Sequence, residues 1–79
     1  MELEKKVFML STSNCGKCPF VKQMLSTKDV KVEYVNNDND PTIASELEIF
    51  SVPSIIDNRD GKETQFIGQE SCMLFINSL

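Results

Sequence analysis

The sequence predicts an α/β domain of order βαβαββα, a four-stranded mixed sheet flanked by helices, and three observations carry that prediction. Short apolar runs of strand length alternate with stretches whose apolar residues recur at helical spacing. The strand–helix–strand order at the start implies a right-handed parallel crossover, and a glycine-containing turn late in the chain adds an antiparallel hairpin. The chain has 79 residues, 41% of them apolar, and no low-complexity tract, which suits a single domain over residues 1–79.

Each element has its own signal. Val7-Phe8-Met9-Leu10 is a continuous apolar run ending in Ser11-Thr12-Ser13-Asn14, as a buried strand running into a loop does. Phe20, Val21, Met24 and Leu25 recur at helical spacing with Lys22, Gln23 and Ser26 opposite, an amphipathic helix of two to three turns. Proline lacks an N–H and disfavours helical angles at the residue before it, so Pro19 moves the regular helix start to about Cys18 or Pro19. Val30, Val32 and Tyr34 alternate with Lys31 and Glu33, and Val35 leads into a polar loop, Asn36-Asn37-Asp38-Asn39-Asp40. Asp40 and Pro41 are expected as the cap and first residue of a second helix, with Ile43, Leu47 and Phe50 on one face. Ser54-Ile55-Ile56 is a third strand, Asn58-Arg59-Asp60-Gly61 a turn, and Lys62 to Ile67 a fourth strand that Gly68 ends. From Ser71, the expected cap, to Leu79 the residues Cys72, Phe75, Ile76 and Leu79 make one helical stripe, which places Cys72 in the core.

Charge and composition narrow the function. The longest apolar runs, such as Met73-Leu74-Phe75-Ile76, fall far short of the roughly 20 residues a membrane span needs. The start, Met1 to Lys6, has acids where a signal peptide has bases, so a cytoplasmic chain is expected. Net charge is −4, yet residues 1–32 hold six lysines against three acids, so the cysteine pair Cys15 and Cys18 sits in the basic half. That favours an anionic partner there, while the acidic total without a basic stripe argues against nucleic acid.

Cys15-Gly16-Lys17-Cys18 admits three readings. Structural zinc wants four Cys or His ligands, and this chain has no histidine and only Cys72 besides the pair, so only a dimer sharing two pairs would complete the set. A permanent disulfide would close too small a ring to stabilise much, and such bridges are rare in a reducing compartment. The redox reading explains more features together: the pair lies between a buried strand and a helix, near a βαβ pattern. At a helix start the Cys15 sulfur meets unpaired N–H groups and the positive dipole end, and Lys17 adds a nearby cation; all favour the thiolate, the attacking species.

Cys15-Gly16-Lys17-Cys18 after a strand, Asp38-Asn39-Asp40-Pro41 opening a helix and Ser51-Val52-Pro53 before a strand resemble, in that order, the thioredoxin superfamily. Over residues 6 to 79 the chain is most similar to the shorter glutaredoxins and glutaredoxin-like redoxins. Asn14 stands where thioredoxins usually carry tryptophan, and Lys17 where they carry proline. The resemblance implies a dithiol oxidoreductase that reduces protein or small-molecule disulfides, with Cys15 as nucleophile and Cys18 as resolving thiol. It implies that Pro53 is the family's cis-proline, presenting the Val52 backbone to an extended substrate. Gly68, in Gly68-Gln69-Glu70-Ser71, stands where glutaredoxins show a glycine pair, so Lys17, Val52, Pro53 and Gly68 are the expected substrate-binding residues. No resident cofactor or metal is expected. Glutathione, or a flavoprotein of the thioredoxin-reductase type, is the expected electron donor to a monomer. The alternative the resemblance leaves open is a dimer that carries an iron–sulfur cluster through Cys15 and glutathione.

Overall fold

In the computed structural model, which describes residues 5–79, the run Val7-Phe8-Met9-Leu10 lies in strand β1 (Val7–Ser11), inside a four-stranded sheet. The reading of an acidic start falls largely on residues 1–4, outside the described residues. Strand β2 (Val32–Asn36) pairs parallel with β1, β3 (Ser54–Asp57) pairs antiparallel with its other side, and β4 (Thr64–Ile67) pairs antiparallel with β3. The sheet order is therefore β2-β1-β3-β4, mixed as the sequence predicts.

Alternation along the strands divides the core in two. Val7 and Met9 join Val21, Leu25, Phe75 and Ile76 on one face, while Phe8 and Leu10 join Ile43, Ala44 and Ile49 on the other. Helices α1 (Cys18–Ser26) and α3 (Gln69–Asn77) thus cover one face and α2 (Thr42–Glu46) the other. Val7, Phe8, Met9 and Leu10 are at most 3% exposed, and each such side chain contributes roughly 1.5–3 kcal/mol of transfer free energy, so β1 anchors both layers. As an edge strand, β2 buries Val35 but leaves Tyr34 exposed. Among the described residues no helix is long and apolar enough to cross a membrane.

Helix α2 departs from expectation. It starts at Thr42 with Pro41 in the cap position, although Asp40 still accepts the Thr42 N–H at 3.2 Å. It ends after Glu46, so Phe50 is not on its face. Glu48 takes a left-handed φ of 56°, while the Ile49 N–H returns to the Ala44 carbonyl at 2.9 Å and the Glu48 N–H to Ser45 at 3.3 Å. This is a Schellman ending, with Ile49 and Ala44 in the same apolar cluster. Ile49 takes the buried place expected of Phe50, which stands 89% exposed.

The C-terminal helix also starts earlier than expected. Gly68, at φ 92°, is its N-cap, and Ser71 lies inside the first turn rather than capping it. A sharp exit from β4 needs a positive φ, which glycine adopts without steric cost, so the boundary follows Gly68. Likewise β4 starts at Thr64 rather than Lys62, because Gly61, at φ 81°, closes the preceding turn with its N–H on the Asn58 carbonyl. Cys72, Phe75 and Ile76 are buried as the stripe predicts, and Leu79 packs on them just past the helix.

Candidate functional site

The cysteine pair occupies the loop that carries the chain from buried β1 to α1. Its start is tied to the loop after β2: the Asn37 N–H donates to Ser11 at 2.7 Å, and the Ser13 N–H to the Asp38 carboxylate at 2.8 Å. The Asn36 side-chain amide donates to the Ser13 hydroxyl at 3.3 Å. Asp38 therefore holds the loop in place, a role its sequence position in a polar run did not reveal.

Cys15 and Cys18 form a disulfide, with Cα atoms 5.4 Å apart. Lys17 is the N-cap of α1, Cys18 its first residue and Pro19 its second, as the proline argument requires. The first N–H groups of a helix lack intrahelical partners. Here the Cys18 N–H donates to the Cys15 sulfur at 3.1 Å, so that sulfur serves as the cap acceptor. The two cysteines differ in access: Cys18 is 4% exposed, whereas Cys15 is half-buried at the rim of the core around Cys18.

The Val52–Pro53 peptide bond is cis. Val52 and Cys15 both pack against the apolar cluster that includes Met9 and Cys18. The Gly68 N–H donates to the Pro53 carbonyl at 2.9 Å, which joins Pro53 to Gly68. Beneath them the Cys72 thiol, fully buried, faces the carbonyls of Pro53 at 3.6 Å and Phe66 at 3.5 Å. Burial pushes this thiol up from 9.0 to about 11, with the Ile55 N–H pulling the other way. Cys72 is thus a neutral thiol, held in the core.

A groove of about 280 Å³ opens at the pair, lined by Cys15, Cys18, Pro19 and Lys22 on one side and Ser11, Thr12, Ser13 and Asn36 on the other. Lys17 is exposed and lies outside this lining. Sequence reasoning placed Lys22 on the polar face of α1 and missed that this face borders the groove. Only the parallel β1–β2 pairing brings Asn36 and Tyr34 beside it. Among the described residues no cluster of three Cys, Asp or Glu side chains could hold a metal ion.

The protein-family model for glutaredoxin matches residues 6–61, which include the cysteine pair and the cis-proline. The chain belongs to the glutaredoxin family. Solved thioredoxins share its fold. Mitochondrial thioredoxin 3 of Saccharomyces cerevisiae, in its oxidized form, superposes with a TM-score of 0.75 at 25% identity, covering 99% of this chain and 82% of that one. Thioredoxin 1 of Thermosipho africanus gives 0.73 at 20% identity over 92% of this chain and 88% of that one. The thioredoxin of Trypanosoma brucei brucei gives 0.70 at 27% identity, with 86% of this chain and 66% of that one covered. A search of curated proteins found no match. A glutaredoxin-family fold with a C-x-x-C pair supports a redox function.

Proposed function

We propose that this glutaredoxin-family chain is a dithiol oxidoreductase that reduces disulfides, with Cys15 as nucleophile and Cys18 as resolving thiol. The observation that carries the reading is the asymmetry of the pair: the Cys15 sulfur is the accessible one and receives the Cys18 N–H at the helix start. In the reduced protein the same N–H and the dipole of α1 stabilise a Cys15 thiolate. That thiolate attacks one sulfur of a substrate disulfide, forming a mixed disulfide and expelling the other half as a thiolate, which takes a proton from water. Cys18 then loses its proton and attacks the Cys15 sulfur. The second half leaves as a thiol, two electrons have passed to the substrate, and the Cys15–Cys18 bridge remains.

Regeneration takes two electrons from a thiol donor, either two glutathione molecules or a dithiol flavoprotein reductase. A pair that must cycle suits a reducing compartment, and we place the chain in the cytoplasm as a monomer. The Val52 backbone beside cis-Pro53, with Gly68 behind it, forms the wall along which an extended substrate lies. The iron–sulfur alternative would use the Cys15 sulfur of the reduced protein as a ligand, and Cys18, close enough to bridge to it, offers that sulfur a competing intramolecular bond, which favours the dithiol cycle.

Reduction of a peptide disulfide by dithiothreitol through the protein tests the reading. Cys15→Ser should lose turnover, while Cys18→Ser should accumulate a mixed disulfide with the substrate, detected by mass spectrometry. Full activity in Cys15→Ser would overturn the assignment.

A further inference from the structure

We infer that Lys22 selects the substrate of this site, favouring polypeptide disulfides that carry a carboxylate beside the target cysteine; the inference rests on the disulfide-reductase reading above. Among the described residues Lys22 is the only charged side chain lining the groove that holds both sulfurs; the other polar groups there are the hydroxyls of Ser11, Thr12 and Ser13 and the Asn36 amide. The acid nearest in the loop network, Asp38, is engaged by the Ser13 N–H at 2.8 Å and does not line the groove.

The lysine is also held in place. Its ammonium sits 5.0 Å from the centroid of the Tyr34 ring, within the range in which a ring face attracts a cation. That contact restrains an otherwise flexible side chain beside the groove, between α1 and the edge strand β2. A cation fixed next to a disulfide, among neutral groups, attracts a negative substrate residue and repels a positive one.

A second groove is the reason for choosing a polypeptide as the occupant. It encloses about 290 Å³, shares Thr12 with the first, and is lined by Ala44, Ile49, Phe50 and Val52 among others. Its wall is mainly apolar, and Phe50 stands 89% exposed beside the cis-proline loop. With Thr12 common to both grooves, an extended chain lying over the disulfide would meet the apolar wall of one and Lys22 in the other. The selected substrate has an acidic residue on one flank of its cysteine and apolar residues on the other.

The test uses three synthetic peptide disulfides that differ only in a Glu, Gln or Lys next to the cysteine, with dithiothreitol as donor and oxidised glutathione as a fourth substrate. The quantity read is the ratio of kcat/KM for the Glu peptide over the Gln peptide. Lys22→Gln should lower this ratio about fivefold, the factor a single contact ion pair in water gives, and Lys22→Glu should invert the preference. Lys22→Arg should restore it. Tyr34→Phe, which keeps the ring face, should preserve the ratio, and Tyr34→Leu should lower it. The same Lys→Gln change at Lys62, on the exposed β3–β4 turn, should leave it unmoved. An unchanged ratio in Lys22→Gln overturns the inference, and so does an effect confined to oxidised glutathione. If Cys15→Ser is inactive on all four substrates while the Lys22 ratio is flat, only the present inference fails and the reductase reading stands.

Discussion

Replacing Cys72 with alanine in the oxidised protein separates a core thiol from a functional one. Cys72 is 0% exposed, between the sheet and α3, so losing its sulfur removes buried contacts and leaves a small cavity. The cost at pH 7 should be roughly 1–2 kcal/mol, below the range for larger truncations because one heavy atom is lost. The pH dependence adds an internal check. Burial pushes the folded thiol from 9.0 to about 11, so between those values the unfolded chain has lost a proton that the folded chain retains. Wild-type stability must then fall as pH rises, with a slope of at most ~1.4 kcal/mol per pH unit. The contribution is complete below pH 9.0 and gone above about 11. The full shift would correspond to ~2.7 kcal/mol, and local relaxation and water entry around the ionised thiol should reduce the loss to roughly 1–2 kcal/mol. Alanine does not titrate, so the gap between wild type and Cys72→Ala should close by that amount between pH 8 and pH 11. Urea denaturation followed by circular dichroism at several pH values measures it. Parallel stability curves would mean that the thiol is solvated in the folded state. A large loss of turnover with unchanged stability would mean that Cys72 takes part in the reaction.

Two further changes probe the site and its support. Lys17→Glu replaces a positive charge near the Cys15 thiolate with a negative one; an exposed charge at contact is worth ~1 kcal/mol, so the reversal amounts to about 2 kcal/mol and the reduction potential should become more negative by roughly 40 mV. The Cys15 pKa should rise, and the effect should shrink at high salt. Coincident thiolate absorbance curves at low salt would assign all the tuning to the helix start. Glu48→Gly should stabilise the fold, because a left-handed residue with a Cβ costs about 1–2 kcal/mol and glycine avoids most of it. A gain of roughly 1 kcal/mol raises the melting temperature by about 4–8 °C in a domain of this size. A lower melting temperature would show that the Glu48 side chain contributes more than its backbone costs.

What could be read from the residue order alone was whatever depends on neighbours a few positions apart. The apolar run of β1, the stripe of α3, the turn at Gly61 and the start of α1 behind Pro19 all follow from local sterics and short-period burial. The cysteine pair at a helix start is equally local, since both thiols and the N–H that meets the Cys15 sulfur lie within four residues. Where α2 stops is not local. Its ending requires Ile49 in the apolar cluster under the sheet, and that burial outweighs the left-handed backbone at Glu48 and the helical phase that pointed to Phe50. The lysine that borders the sulfurs was also beyond reach. Lys17 is closer along the chain, but the parallel pairing of β2 with β1 sets Asn36 and Tyr34 beside α1 and brings Lys22 to the groove. Periodicity reports which face of a helix is polar, and tertiary packing alone decides what that polar face looks onto.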